Sequence, residues 1–199
     1  MSTHLHIRGL DWLGLSRITR GAGALLAAAA ACLWLVPATS AEGLVREIKA
    51  GMLYHDMPYI WSGFKMEPTS ADINLEVLFT PSIPFLIGSL RPALGGTINT
   101  AGATSHVYLG ARWEILDPAV GLFFAVGAGG AIHTGDLVPD RWDRKALGSR
   151  ELFHFPGELG WRFDGHNSVS LYFEHTSNAW LSKYNEGMDR LGVRYGYRF

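Results

Sequence analysis

The sequence predicts an all-β protein, an eight-stranded antiparallel transmembrane β-barrel of the bacterial outer membrane. Three observations lead to this fold class. Apolar and polar residues alternate over most of the chain after residue 42, the preceding segment has the pattern of an export signal, and the last strand is aromatic and finishes on Phe199. Alternation with a period of two is typical of strands, because successive side chains of a strand point to opposite faces.

The first 41 residues have the composition of a cleavable secretory signal. Three arginines precede the apolar stretch GAGALLAAAAACLWLV, and the small residues of PATSA follow it before Glu42. That order of basic, apolar and small residues is typical of a signal peptide, so we expect removal of residues 1–41 and one barrel domain over residues 42–199. Since Cys32 is the only cysteine, the exported chain has no thiolate and no disulfide.

The charge of the exported chain excludes several classes of protein. Residues 1–41 hold three of the 17 basic and one of the 18 acidic residues, so the remainder has 14 and 17, a net charge of −3. A nucleic-acid partner is not expected, because such proteins carry a basic surface. No apolar run after residue 42 reaches the length of about 20 residues that a transmembrane helix needs. No P-loop or dinucleotide fingerprint occurs, and we expect no cofactor.

Eight strands follow from the alternation and from turn-rich stretches such as KMEPTS, LDPA and DGHN between them. The predicted strands are 44–54, 73–80, 90–98, 105–115, 120–132, 149–163, 167–177 and 187–199. The alternation is clearest in the last strand, where one face carries Leu191, Val193, Tyr195, Tyr197 and Phe199. The stretch TGDLVPDRWDRK, residues 134–145, is the predicted long exposed loop.

A soluble β-sandwich would show the same alternation, so the direction of the apolar face has to be decided. The polar face is rich in charge and glycine, as a narrow barrel interior requires, and aromatic residues gather at strand ends. These features favour a membrane barrel with apolar side chains outward, and an even strand number closes it without an open edge. The predicted interior network comprises Glu158, Arg162, His106 and Arg112. The predicted interfacial anchors are Trp61, Trp113, Trp142, Trp161 and Trp180.

Two polar residues lie on the apolar face of the seventh predicted strand. In SVSLYFEHTSN this face carries Val169, Leu171 and Phe173. His175 and Ser177 share their parity, so both side chains are expected to point toward lipid. Neighbours on one face of a strand are roughly 6.7 Å apart, a span that an imidazole and a hydroxymethyl group can bridge. A nucleophile and its base are therefore predicted to be neighbours.

A carboxylate on the eighth predicted strand completes this group. If residues 178–186 close a symmetric hairpin, His175 lies opposite Asp189, and a carboxylate there would hold the imidazole in the correct tautomer. Outer-membrane barrels keep both chain ends on the periplasmic side, so this loop is outside the cell. The ten steps from Asp189 to Phe199 climb roughly 23 Å. The group is therefore expected near the outer interface, where lipopolysaccharide forms the leaflet.

The run HTSNAWLSKYNEGMDRLGVRYGYRF, residues 175–199, resembles the C-terminal motif of outer-membrane lipid A 3-O-deacylases, the PagL family, also called acyloxyacyl hydrolases. These proteins share a His-x-Ser-Asn core followed by Asn-x-Gly. In the family the His acts as base, the Ser as nucleophile, a downstream carboxylate orients the His, and the Asn side chain helps to form the oxyanion hole. The resemblance implies these roles, in that order, for His175, Ser177, Asp189 and Asn178.

The sequence departs from this pattern at the carboxylate. The best-studied members have Glu, whereas Asp189 is one methylene shorter, and Glu186 is the alternative acid despite its even parity and loop position. The resemblance implies a serine carboxylic-ester hydrolase that removes the ester-linked acyl chain at the 3 position of lipid A in lipopolysaccharide, without a metal or cofactor. The aromatic ending on Phe199 resembles the C-terminal signal that the barrel assembly machinery reads, and the sequence leaves a homodimer open.

The same residues are also compatible with two other functions. An outer-membrane phospholipase is the alternative enzyme, because such enzymes also place a His-x-Ser pair on the lipid face. The alternative from another functional class is a non-catalytic small barrel for envelope integrity or adhesion. In such a barrel, lipid headgroups would solvate His175 and Ser177. Loop residues of metal-ligand type are present, but loop carboxylates are more often solvated and we expect no metal site. These residues are His55, Asp56, Asp136, Asp140 and Asp143.

Overall fold

The computed structural model describes residues 43–199, and the predicted signal peptide, residues 1–41, lies outside the described residues. The described chain forms nine strands. They are β1 (Val45–Tyr54), β2 (Ala71–Phe79), β3 (Ile83–Phe85), β4 (Gly88–Asn99), β5 (His106–Leu116), β6 (Leu122–His133), β7 (Glu151–Arg162), β8 (Asn167–Ser177) and β9 (Met188–Arg198).

Eight of these strands close into an antiparallel barrel, which confirms the predicted fold class. Neighbours in sequence pair with each other, and the pairings of β1 with β9 and of β2 with β4 complete the circle. The extra strand, β3, is a three-residue partner of β4 that the alternation does not reveal. Between residues 43 and 199 the chain contains no helix with the length and apolar character needed to cross a membrane.

The loops at the two ends of the barrel differ in length. One end has the connections 80–87, 117–121 and 163–166, and the other has the loops 55–70, 100–105, 134–150 and 178–187. Outer-membrane barrels have short periplasmic turns and longer extracellular loops, so the second end is the extracellular one. The N–H of Phe199 donates to the carbonyl of Arg46, which places both ends of the described barrel at the periplasmic rim.

The apolar face of the sheet points outward, as predicted. On β9 the side chains of Val193, Tyr195 and Tyr197 are exposed, whereas those of Arg190 and Arg194 are buried inside the barrel. The other strands repeat this division. A water-soluble sheet would bury its apolar face instead, so the arrangement is that of a barrel surrounded by hydrocarbon.

The barrel interior is filled by ion pairs. The guanidinium of Arg194 donates to a carboxylate oxygen of Glu158 at 2.5 Å, and the ammonium of Lys49 donates to the same carboxylate at 3.0 Å. Arg162 donates to Glu47 at 3.1 Å. A buried charge is costly unless it is paired, so the charges occur together. Glu158 and Arg162 are interior as predicted, as are His106 and Arg112, and the partners named above come from β1 and β9.

The β6–β7 loop, residues 134–150, is exposed only in part, which corrects the prediction for residues 134–145. Trp142 is 91% exposed, whereas Lys145 and Leu147 are buried. The ammonium of Lys145 donates to the Asp56 carboxylate at 2.7 Å, and this pairing draws the end of the loop into the extracellular cap of the barrel.

Candidate active site

A serine and a histidine are joined by a hydrogen bond near the extracellular end of β8. The Nε2 atom of His175 lies 2.9 Å from the Oγ atom of Ser177. Both side chains belong to the outward face, because Val169 and Leu171 of the same parity are exposed. An imidazole at this distance can accept the hydroxyl proton.

Asp189 supplies the carboxylate, from the strand position directly opposite His175. Its Oδ1 atom lies 2.7 Å from Nδ1 of His175. The shorter aspartate side chain reaches the ring because the antiparallel register places the two Cα atoms opposite each other. The register assumed from the sequence is the one that the structure has.

The β1–β2 loop, residues 55–70, lies over this outward-facing group. The backbone N–H groups of Trp61 and Ser62 donate to Oδ2 of Asp189 at 2.6 and 2.7 Å. The Trp61 indole stacks on the His175 imidazole, with ring centroids 4.1 Å apart and planes 10° apart. This cover leaves His175 only 3% exposed. Trp61 therefore belongs to the site, beyond the interfacial anchoring that its sequence position indicated.

Glu186, the alternative acid, has other partners. Its carboxylate accepts hydrogen bonds from the ammonium of Lys65 at 2.8 Å and from the backbone N–H of Ala146 at 2.5 Å. These contacts join the loop before β9 to the β1–β2 and β6–β7 loops. The geometry thus places Asp189, and not Glu186, against the imidazole.

Asn178 does not present its side-chain amide to Ser177. The Nδ2 group donates to the backbone carbonyls of Leu147 at 2.7 Å and of Tyr184 at 2.6 Å. An amide has two N–H donors, so both are used. In this structure Asn178 thus ties the β8–β9 loop, residues 178–187, to the β6–β7 loop. The oxyanion-hole role that the family resemblance implies for this residue stays a prediction.

A buried polar cluster anchors the β1–β2 loop to the barrel. The two ring nitrogens of His55 lie 2.8 Å from Asp72 and 3.1 Å from Glu67, and Asp56 pairs with Lys145. Burial alone would lower the pKa of His55, but the two carboxylates raise it above its ordinary value. Of the loop residues considered in the sequence as metal ligands or solvated groups, His55 and Asp56 are ion-paired and buried.

The anchoring of this loop is expected to depend on pH. Burial would raise the pKa of Glu67, but hydrogen bonds from His55, Thr104 and the Lys145 backbone lower it from 4.5 to about 2. Because the pKa of Glu67 is lower in the folded state, the stabilisation that its carboxylate gives to the fold is complete above pH 4.5 and is lost as the pH falls toward 2. The upper bound of this stabilisation is about 3 kcal/mol. Hydrogen exchange of the β1–β2 loop in detergent micelles should therefore accelerate, after correction for the intrinsic rate, across this interval.

The variant Glu67→Gln is the matched control for this prediction. It removes the titrating group but keeps an oxygen acceptor for Thr104. We expect its loop to exchange faster than that of the parent at pH 6 and to show little further change down to pH 2. An acid-induced acceleration of equal size in this variant would assign the effect to another group.

One group of side chains in the described residues has the composition of a metal site. His106, His154 and Glu174 are buried in the barrel interior with ligand atoms within 4.8 Å of one another. The Glu174 carboxylate already accepts hydrogen bonds from Thr97 and Tyr172, and a cationic nitrogen of Arg190 lies 3.6 Å away. A divalent cation would compete with these donors, so the group fits a hydrogen-bonded interior network better than a metal centre.

Comparisons with known proteins found a matching family model and several similar solved structures. The sequence model of the family described as lipid A 3-O-deacylase (PagL) matches residues 61–198. The crystal structure of the outer membrane enzyme PagL superimposes with a TM-score of 0.57 at 19% identity, covering 76% of this chain and 99% of that chain. The crystal structure of Neisserial surface protein A gives 0.49 at 8% identity, covering 77% and 96%. No curated protein matches the sequence.

The two lines of comparison support different conclusions. The likeness to the PagL crystal structure, at its low identity, establishes the barrel fold. The family model goes further, because it spans the candidate active site together with β2 to β9. On that coverage, this chain belongs to the lipid A 3-O-deacylase (PagL) family of outer-membrane barrels.

Proposed function

We propose that this protein is an outer-membrane serine esterase that hydrolyses the ester-linked acyl chain at the 3 position of lipid A, with Ser177 as nucleophile, His175 as general base and Asp189 as the acid that orients His175. The observation that carries the proposal is the continuous hydrogen-bonded series from Asp189 through His175 to Ser177. Family membership supplies the substrate class.

The geometry supports a two-step hydrolysis. The Oγ atom of Ser177 attacks the ester carbonyl carbon while Nε2 of His175 accepts the hydroxyl proton. The bond from the carbonyl carbon to the sugar oxygen then breaks, and His175 returns the proton to that oxygen. Water attacks the acyl-serine in the second step, giving its proton to His175. The bond from the acyl carbon to Oγ of Ser177 then breaks, and His175 returns the proton to Oγ. This step releases a 3-hydroxy fatty acid and restores the Ser177 hydroxyl.

Backbone donors next to Ser177 can stabilise the oxyanion. Ala179 and Trp180 both have left-handed backbone conformations, with φ of 52° and 63°. Within residues 43–199 neither N–H donates to a backbone carbonyl. Non-glycine residues adopt this conformation at a cost, and such residues cluster at active sites. We assign the oxyanion-stabilising role to these N–H groups, since the Asn178 amide is otherwise engaged.

The position of the site fits the substrate. Ser177 is the last residue of β8 and the β8–β9 loop follows it at the extracellular end. The side chains lie on the outward face of the barrel, beneath the β1–β2 loop and near the outer interface, where the acyl esters of lipid A and water both occur. The exposed aromatic ring of Phe199 at the opposite rim supports recognition by the barrel assembly machinery.

Mass spectrometry of the envelope lipids tests the proposed function. Lipid A from cells that express the protein should lose the mass of one ester-linked hydroxyacyl chain, whereas lipid A from matched cells without it should not. Glycerophospholipids extracted from the same cells should be unchanged. Lysophospholipid formation with intact lipid A would identify a phospholipase instead, and no change in either lipid would favour a non-catalytic barrel.

A further inference from the structure

Besides a longer contact of 3.4 Å between Nδ1 and Oγ of Ser62, the His175 imidazole makes one stacking contact and two short hydrogen bonds in the plane of its ring. These bonds, to Asp189 and Ser177, fix the direction of the two ring nitrogens. They do not fix the tilt of the ring, because rotation about the line through the two ring nitrogens leaves both bonds in place. The stacked indole of Trp61 covers one face of the imidazole and restricts this tilt.

Apolar burial alone does not account for the position of Trp61. The residue is 61% exposed, and its other aromatic neighbour, Phe155, is 6.0 Å away between ring centroids. An interfacial anchor needs contact with headgroups only. Trp61 instead has a defined stacking geometry on a titratable ring. In addition, the backbone N–H groups of Trp61 and Ser62 donate hydrogen bonds to Asp189. One loop segment thus orients both the imidazole and its carboxylate.

We propose that Trp61 is a positioning residue for the hydrolysis, an inference that rests on the function proposed above. The imidazole acquires a proton as Ser177 attacks, so a cation forms between the Asp189 carboxylate and the face of the indole. The faces of aromatic rings attract cations, and Trp does so most strongly. An interaction that strengthens only as charge develops lowers the barrier of the chemical step without tightening substrate binding.

Three variants test this role. Trp61→Leu removes the aromatic face, and Trp61→Phe retains one. Trp142→Leu is the matched control, because Trp142 is an exposed residue of the β6–β7 loop. The measurements are kcat and KM on lipid A in mixed micelles and the rate at which a lipase-type phosphonate labels Ser177. Heat-modifiable electrophoretic mobility shows that each variant has folded.

We expect Trp61→Leu to lower kcat and the labelling rate by about 100-fold, as a misplaced catalytic group does, while KM stays close to the parent value. Trp61→Phe should recover most of this loss, and Trp142→Leu should behave like the parent. Equal rates for Trp61→Leu and Trp142→Leu would overturn the proposal. So would a loss confined to KM, or a Phe variant as slow as the Leu variant.

Phosphonate labelling tests the role of Trp61 independently of the proposed substrate, lipid A. Labelling needs the activated serine but not lipid A. If the parent is labelled, Trp61→Leu is labelled slowly, and no acyl chain leaves lipid A, then the substrate is wrong and the role of Trp61 stands. A folded parent that is never labelled would overturn both.

Discussion

Replacement of Ser177 by Ala is expected to abolish release of fatty acid from lipid A. The substitution removes the only atom that forms the acyl-enzyme, and loss of such a nucleophile costs roughly 10⁶-fold in kcat in a serine hydrolase. The barrel should still fold, because His175 keeps its bond to Asp189 and its contact with Trp61. Mass spectrometry of lipid A incubated with the purified variant measures the effect.

The matched control for this variant is Ser182→Ala. Ser182 lies in the β8–β9 loop, five residues after the candidate nucleophile, and is partly exposed. We expect it to release fatty acid like the parent, and both variants should show the heat-modifiable mobility of a folded barrel. Undiminished release by Ser177→Ala would place the nucleophile elsewhere.

The barrel could be predicted from the sequence because apolar and polar residues alternate with a period of two along each strand, a pattern that is visible within each strand by itself. The parity of Val193 and Tyr195 on β9 predicts the outward face, and the parity of His175 and Ser177 then places them on it. The assumption of a symmetric hairpin was enough to pair His175 with Asp189. Each step depends on neighbours within one hairpin.

The cover over the site could not be predicted, because it depends on contacts between distant parts of the chain. Trp61 and Asp189 are 128 positions apart, and nothing in the sequence around Trp61 distinguishes it from an interfacial anchor. The path of the β1–β2 loop is set by the buried pairs of His55, Asp56 and Glu67. Loops have no periodicity from which such partners can be read.

The role of Asn178 shows a related limit. The family motif indicates which residue types surround the nucleophile, but the motif does not say which of their donors are free. The carbonyls that accept from Asn178 belong to Leu147 and Tyr184, and only the folded loops bring them to its amide. Assignment of a role from the motif therefore requires the complete set of hydrogen-bond partners.

Replacement of Asp189 by Asn is expected to lower kcat by about 10⁴-fold, as the equivalent change does in a serine protease. The N–H groups of Trp61 and Ser62 both point at Oδ2, so the oxygen of the new amide must take that position. Its NH₂ group then faces Nδ1 of His175. Nδ1 becomes an acceptor and Nε2 carries the proton, and this tautomer cannot accept the proton of Ser177.

Glu186→Gln separates the two candidate acids. The substitution breaks the partly exposed ion pair of Glu186 with Lys65, and such a pair typically contributes less than about 1 kcal/mol to stability. The rate of fatty-acid release should therefore stay within about fivefold of the parent rate. Deacylation kinetics of both variants decide the assignment. A slow Glu186→Gln beside an active Asp189→Asn would transfer the acid role to Glu186. Because both substitutions remove one charge at the same end of the barrel, the comparison isolates contact with the imidazole as the cause.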